Sequence, residues 1–244
     1  MYHFFITREQ VAGDTVTVTG ADVNHIRNVL RMKAGEAVQV TDEQGTVYTC
    51  RIAGFPGDTV TLSVEDAAAG ENELPSELVL FQGIPKSDKM ELIIQKAVEL
   101  GAAAIVPTEM KRCVAKIDPK KEEAKLKRYR AIAESAAKQS GRNRIPEVMP
   151  VMTLKEAIRF AERLNHVFVP YEHADNMAET KAAIAAVKPG ESVGIFIGPE
   201  GGFEESEVAA ITEAGGREIS LGKRILRTET AGMTLLSVLM FQLS

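Results

Sequence analysis

The sequence predicts an α/β chain in two parts: a small β-rich unit, then a mostly parallel sheet covered on both faces by helices. Residues 1 to about 66 hold short β-prone runs divided by turn signals. A small, polar, proline-containing stretch follows, and from residue 77 onward strand and helix patterns alternate. Such alternation marks parallel sheets, because parallel neighbours need a long crossover that a helix supplies.

In the first part the β-prone runs are VTVT with its flanks (15–19), AVQVT (37–41), TVYTCRI (46–52) and TVTLSV (59–64). DEQG at 42–45 and GFPGD at 54–58 provide turn chemistry between them. Strands at this spacing suggest a barrel or a small sandwich. One helix interrupts them, from about Asp22 to Met32, with Val23, Ile26, Val29 and Leu30 on one stripe. EDAAAGENELPSE, 65–77, reads as a linker.

Beyond it ELVLF (77–81) reads as a strand and KMELIIQKAVEL as a helix, whose Met90, Ile93, Ile94, Ala97 and Val98 share a face. Gly101 stops that helix. AAAIVP is a second strand, and a long helix runs from Pro119 to about Gln139. TLKEAIRFAERL is a further helix, with Thr153 as its cap and Glu156 three residues on, a capping-box pattern. HVFVP, ESVGIFIG and REISLG read as buried strands, and the apolar run at 233–241 as a last buried helix.

Composition narrows the function. The longest apolar run is about nine residues, against the ~20 needed to span a bilayer. MYHFFITREQ lacks the basic start and long apolar core of a secretory signal. Cys50 and Cys113, without metal-ligand spacing, read as reduced thiols of a cytoplasmic protein. Net charge is -5, but residues 111–144 hold twelve Lys/Arg against four acids (Asp118, Glu122, Glu123, Glu134). That basic segment on an acidic chain suits a polyanion partner, although a solvated helix face accounts for part of it. The four histidines show no paired ligand spacing, Glu172, His173 and Asp175 read as solvated loop residues, and no metal is expected. No GxSxG elbow or Cys/His signature supports a nucleophilic hydrolase.

In open α/β sheets ligands bind beyond the carboxyl ends of strands. Three such ends stand out: FVPYEH (168–173), IFIGPEGGFEESE (195–207) and LGKRILRTETAG (221–232). GPEGGF has three glycines directly after a strand, which permits either a tight turn or close backbone approach to a ligand. It is neither GxGxxG nor GxxxxGK[ST]. Glu204, Glu205 and Glu207 open the next helix and would repel a phosphate there, so a neutral or cationic ligand fits better. LGKRILRTETAG crowds Arg224, Arg227 and Glu229 ahead of an apolar helix, which by composition alone is a charged cap.

GPEGGF and LGKRILRTETA occur together with HIRNVLR (25–31), QGIPKSDKMELIIQKAVELG (82–101) and QSGRNRIP (139–146). In this set and order the sequence resembles the RsmE family of SPOUT methyltransferases. One departure is Lys138, where the resemblance leads one to expect an acid. The resemblance implies S-adenosylmethionine-dependent methylation of N3 of a uridine in 16S ribosomal RNA. It implies a PUA-like β-barrel over residues 1–70 and a trefoil-knotted α/β domain over 76–244. It also implies a homodimer with the RNA site crossing the subunit boundary.

Carried onto this chain, the cofactor would lie among Pro170, Tyr171 and Glu172; Gly198, Pro199, Glu200, Gly201 and Gly202; and Leu221, Gly222, Ile225 and Leu226. The last four would hold the adenine. Uridine N3 carries a proton that must leave, which needs a carboxylate base or a cation stabilising the uracil anion. Arg227, Glu229 and Glu200 are the catalytic candidates, with a helix-capping ion pair the bland alternative for the first two and loop support for Glu200. Arg8, Arg27, Arg31, Arg142 and Arg144 are candidate RNA contacts, Arg27 and Arg31 sharing a helix face. Residues 1–71 carry five Lys/Arg against ten acids, so that unit is no bulk polyanion magnet. Two other readings remain: the same fold methylating another RNA position, and a noncatalytic RNA-binding assembly factor.

Overall fold

Six strands form the N-terminal sheet: β1 (Tyr2–Phe5), β2 (Val11–Ala12), β3 (Thr15–Val18), β4 (Ala37–Thr41), β5 (Thr46–Gly54) and β6 (Val60–Ala69). They join in the order β1-β4-β5-β6-β3-β2, antiparallel except for β1 on β4. Alternation builds the core, as the two-residue period of a strand requires. Val16 and Val18, Val38 and Val40, Cys50 and Ile52, and Val60 and Leu62 are buried in one cluster with Phe4, Val23 and Ile26. The computed structural model describes residues 1–115 and 119–244, so Asp118 of the basic segment lies outside the described residues. The chain divides into two units, Met1–Glu73 with Ala137–Ile145, and Leu74–Ala136 with Pro146–Ser244.

Three expectations for the first unit change. β1 is a strand, paired Tyr2 to Val38 through Phe5 to Thr41. β6 runs on to Ala69, because Thr46–Thr49 of β5 supply a ladder for residues of weak strand preference, so the stretch from 65 begins as sheet. The helix expected from Asp22 to Met32 is α1 (Ala21–Asn24) followed by a π-helical turn, His25–Val29. The wider turn takes Val29 off the buried stripe, leaving it 63% exposed while Ile26 is fully buried. Arg31 then turns left-handed at φ 53°. Lys138, the departure noted above, places its ammonium 2.8 Å from an Asp22 carboxylate oxygen and over the Phe4 ring.

The second unit has seven parallel strands: β7 (Leu78–Gly83), β8 (Ala102–Glu109), β9 (Glu147–Val148), β10 (Met152–Thr153), β11 (His166–Pro170), β12 (Val193–Ile197) and β13 (Arg217–Ile219). Their order is β10-β8-β7-β12-β11-β13, with β9 beside β8. Every residue of β7 and β12 is buried, as in central strands of a two-sided sheet. Phe81 stacks on Phe196 across them, centroids 4.4 Å apart. The helices are α2 (Lys89–Glu99), α3 (Pro119–Ser140), α4 (Leu154–Ala161), α5 (Met177–Ala185), α6 (Glu205–Glu213) and α7 (Thr228–Leu243). The last turn of α3 belongs to the first unit. The capping box of α4 forms: the Glu156 amide donates to Thr153 Oγ1, and the Thr153 amide donates to the Glu156 carboxylate. Strand order reverses between β7 and β12, and crevices beyond such a switch are where open α/β sheets bind ligands.

Candidate functional site

The loops after β11, β12 and β13 close round one cavity of about 480 Å³, within the range of small-molecule sites. Pro170, Tyr171 and Glu172 form one wall, Gly198 to Phe203 a second, and Leu221, Gly222 and Arg224 to Thr228 a third. Ile197, Ala231 and Lys89 complete it. Every position expected to hold the cofactor therefore lines this one space. Ile225 sits at the rim with its side chain 84% exposed.

Glycine shapes the walls for definite reasons. Gly202 has φ +69° and its amide donates to the Pro199 carbonyl, closing a turn. A Cβ on Gly198 would lie 3.0 Å from the Gly202 carbonyl carbon, so the folded-back loop has no room for one. Hydrogen bonds then pin this loop. Thr228 Oγ1 donates to the Gly198 carbonyl at 2.6 Å and accepts from Gln82 Nε2 at 2.8 Å. Arg112 Nη1 donates to the Gly201 carbonyl at 3.0 Å.

Glu200 is fully engaged. The Lys86 amide donates to its two oxygens at 3.0 and 3.3 Å, and the Lys89 ammonium lies 3.1 Å from Oε1. Burial pushes this carboxyl up, but its own amide, the Lys86 amide and Lys89 together hold it below the ordinary carboxylate range. Glu229 is different. It lies in the first turn of α7, mostly buried, and Oε2 has no hydrogen-bond partner. Its nearest cation is Lys89 Nζ at 3.6 Å. Arg227 is the N-cap of α7, lines the cavity and is exposed. Among the described residues Arg227 forms no ion pair with Glu229; that carboxylate faces Lys89 instead.

The cavity lining is mixed in charge, Glu172 and Glu200 against Lys89, Arg224 and Arg227. Burial, then the charges of Glu205, Glu172 and Glu218, hold the Tyr171 hydroxyl above its ordinary range. The glycine-shaped backbone, the apolar Leu221, Ile225 and Leu226 and the carboxylates of Glu172 and Glu200 fit a nucleoside with a cationic group such as S-adenosylmethionine. Among the described residues no cluster of three or more metal-ligating side chains occurs, and no helix is long and apolar enough to cross a membrane.

The arginines of the first unit divide. Arg31 and Arg144 are exposed, though Arg144 lies 3.7 Å from Glu73. Arg8 binds Asp42 at 2.8 Å and the Tyr48 hydroxyl at 2.6 Å while over half of it stays open. Arg27 donates to the Thr59 carbonyl and covers the Phe55 ring, and the π turn removes the shared face expected with Arg31. Arg142 is a correction. It is 4% exposed, with its guanidinium forked onto Glu73, which also accepts the Asn143 and Arg144 amides. An arginine so enclosed is a structural clamp rather than a phosphate contact.

Sequence reasoning missed Lys89, Gln82, Thr228 and Arg112. Gln82 carries a signal of its own, a polar side chain inside an apolar strand, which is stable only with partners. The others meet the site through contacts 30 or more residues apart in the chain, such as the 89 residues between Arg112 and Gly201.

Residues 72–240 match a family model described as an RNA methyltransferase domain, and 18–65 match an RNA methyltransferase PUA domain. The chain is 37% identical over 245 residues to the ribosomal RNA small subunit methyltransferase E of Bacillus subtilis, covering 99% of this chain and 96% of that protein. It is 33% identical over 232 residues to the Mycobacterium bovis protein of the same name, covering 93% and 87%. It matches the crystal structure of the Neisseria gonorrhoeae ribosomal RNA small subunit methyltransferase E bound to S-adenosyl methionine with TM-score 0.85. Identity there is 30%, and 99% of this chain and 97% of that one are covered.

Proposed function

The chain belongs to the RNA methyltransferase family that includes the ribosomal RNA small subunit methyltransferases E, and we propose that it methylates N3 of a uridine in 16S ribosomal RNA. The observation that carries this reading is the single cavity closed by the loops after β11, β12 and β13, whose third wall runs through Arg227 and Thr228 to Glu229 in the first turn of α7. S-adenosylmethionine supplies a methyl group on a cationic sulfur, and that S–C bond breaks with its electron pair left on sulfur as the N3–C bond forms.

The chain's own residues divide the remaining work. Backbone and apolar groups of Leu221, Gly222, Ile225 and Leu226 hold the adenine, while Pro170 to Glu172 and Gly198 to Gly202 enclose the rest of the cofactor. Fixing donor and acceptor in line supplies most of the rate in a displacement of this kind. The Glu229 carboxylate receives the N3 proton, since Glu200 is saturated with donors and serves to hold its loop. Arg227 stabilises the negative charge that develops on the uracil.

The trefoil knot belongs to this reading, supported by three loops from neighbouring strands meeting at one cavity. So does a homodimer, supported by the apolar face that α7 presents at Val238 and Phe241, the latter 85% exposed. Arg8, Arg31 and Arg144 keep exposed guanidinium surface for RNA phosphates, within an assembled small subunit in the cytoplasm. Labelled S-adenosylmethionine with small subunits lacking the modification tests the function: label is expected at uridine N3. Arg227→Ala should bind cofactor normally and lose transfer, and near-normal turnover would remove Arg227 from the mechanism. Label at another position would mean a different target, and none at all a noncatalytic role.

A further inference from the structure

We propose that Lys89 is a positioning residue for methyl transfer: its ammonium, in the cavity wall, ties the loop carboxylate Glu200 to Glu229 and so fixes the Glu229 carboxylate beside the Arg227–Thr228 wall of the cavity. This rests on the methyltransferase reading above and adds a residue to it.

The geometry is asymmetric in a useful way. Lys89 Nζ lies 3.1 Å from Glu200 Oε1, within hydrogen-bond range, and 3.6 Å from Glu229 Oε2, outside it. One carboxylate is thus consumed as an anchor, while the other is held by charge with its lone pairs unspent. An oxygen that must collect a proton needs that condition. Two carboxylates facing each other without the ammonium would repel, and Glu229, 15% exposed, has little water to relieve it.

Placement of Lys89 is rigid at its base. It is the first residue of α2, whose next residue, Met90, is buried in the core. The chain reaches it through Ser87 at φ 55°, a left-handed conformation uncommon for a residue with a side chain and concentrated at functional sites. That turn lies between the Lys86 amide on Glu200 and the Lys89 side chain in the cavity wall. The segment therefore grips the cofactor loop twice, once by backbone and once by charge. Only the second grip reaches Glu229.

Removing the charge should separate binding from chemistry, because Glu200 keeps its backbone donors. Lys89→Met retains the aliphatic stem. Its affinity for S-adenosylhomocysteine by calorimetry should stay within about fivefold of wild type, the most a part-exposed ion pair usually contributes. Amide exchange of residues 198–203 should be unchanged. The single-turnover rate on undermodified small subunits at saturating cofactor should fall roughly a hundredfold, the low end of what a placed proton acceptor supplies. Lys89→Arg should recover most of that rate. An unchanged rate in Lys89→Met would overturn the proposal, as would an affinity loss matching the rate loss or a failure of arginine to rescue. A wild-type protein that labels no RNA would sink the methyltransferase reading and this role with it; selective loss of rate in the variant addresses Lys89 alone.

Discussion

The Thr228 hydroxyl sits between helix α7 and the first residue of the cofactor loop, so its removal tests whether that loop is ordered from behind. Thr228→Val keeps the branched shape and deletes only the hydroxyl. Two bonds disappear: the donation to the Gly198 carbonyl at 2.6 Å and the acceptance from Gln82 Nε2 at 2.8 Å. Gln82 keeps its bond to the Gly83 carbonyl, so its loss is the smaller one. A stranded buried acceptor costs about 1–3 kcal/mol. The Gly198 carbonyl is only part-buried and recovers some of this from water, leaving ~1–2 kcal/mol at the loop. At about 1.4 kcal/mol per factor of ten, the cofactor dissociation constant should rise roughly five- to thirtyfold if the cofactor selects the pinned loop.

Calorimetric titration with S-adenosylhomocysteine reads this directly, with Thr228→Ser as the control that keeps the hydroxyl. Serine should bind close to wild type. Wild-type affinity in Thr228→Val would refute the reasoning and leave the hydroxyl a purely structural group. Equal impairment in serine and valine would show that the methyl group, not the bond, matters.

Arg142→Met removes the guanidinium from Glu73, which keeps the Asn143 and Arg144 amides, and should cost about 1–3 kcal/mol in urea unfolding, whereas Arg144→Met should cost under ~1; a normally stable Arg142→Met with weakened rRNA affinity would restore Arg142 as an RNA contact. The Glu200 carboxyl is held below its ordinary value of 4.5, so its anchoring of the loop is fully present above that pH and is lost as pH falls through the depressed value. Cofactor affinity of the wild type should therefore exceed that of Glu200→Gln near neutrality, the two converging only in that acid range; a constant gap across it would show that ionisation of Glu200 is irrelevant.

What could be read from the residues depended on whether the cause was local. The Thr153–Glu156 box and the strand at 37–41 are set by neighbours within a few positions, and both occur as expected. β1 escaped notice because a four-residue terminal strand has no period to display, only a partner 36 residues away in Val38. Arg142 looked like a phosphate ligand because it closes a basic segment. Its partner Glu73 lies 69 residues earlier, in a stretch whose composition suggested only a linker. Likewise the three loops that line the cavity could be located, since each follows a strand end, but the place of Lys89 in its wall could not. Nothing near it in the chain predicts two carboxylates that arrive from residues 200 and 229.

The preference for a cation over a phosphate survives, on partly different residues. The three acids opening α6 do not act alike. Glu207 turns inward: its oxygens accept the Lys111 and Glu204 amides, and it is buried at 3%. Glu204 pairs with the Lys111 ammonium at 3.0 Å. Both are engaged at the helix start, where their negative charge opposes a phosphate. Only Glu205 contributes to the field at Tyr171, where Glu172 and Glu218 join it from the ends of neighbouring segments. The helix start therefore disfavours an anion through its own acids, and separately the Tyr171 hydroxyl is held above its ordinary range by burial and by carboxylates from separate segments. These are independent effects. Neutralising Glu204 or Glu207 would weaken the start of α6, whereas neutralising Glu205, Glu172 or Glu218 would let the Tyr171 hydroxyl fall back toward its ordinary range.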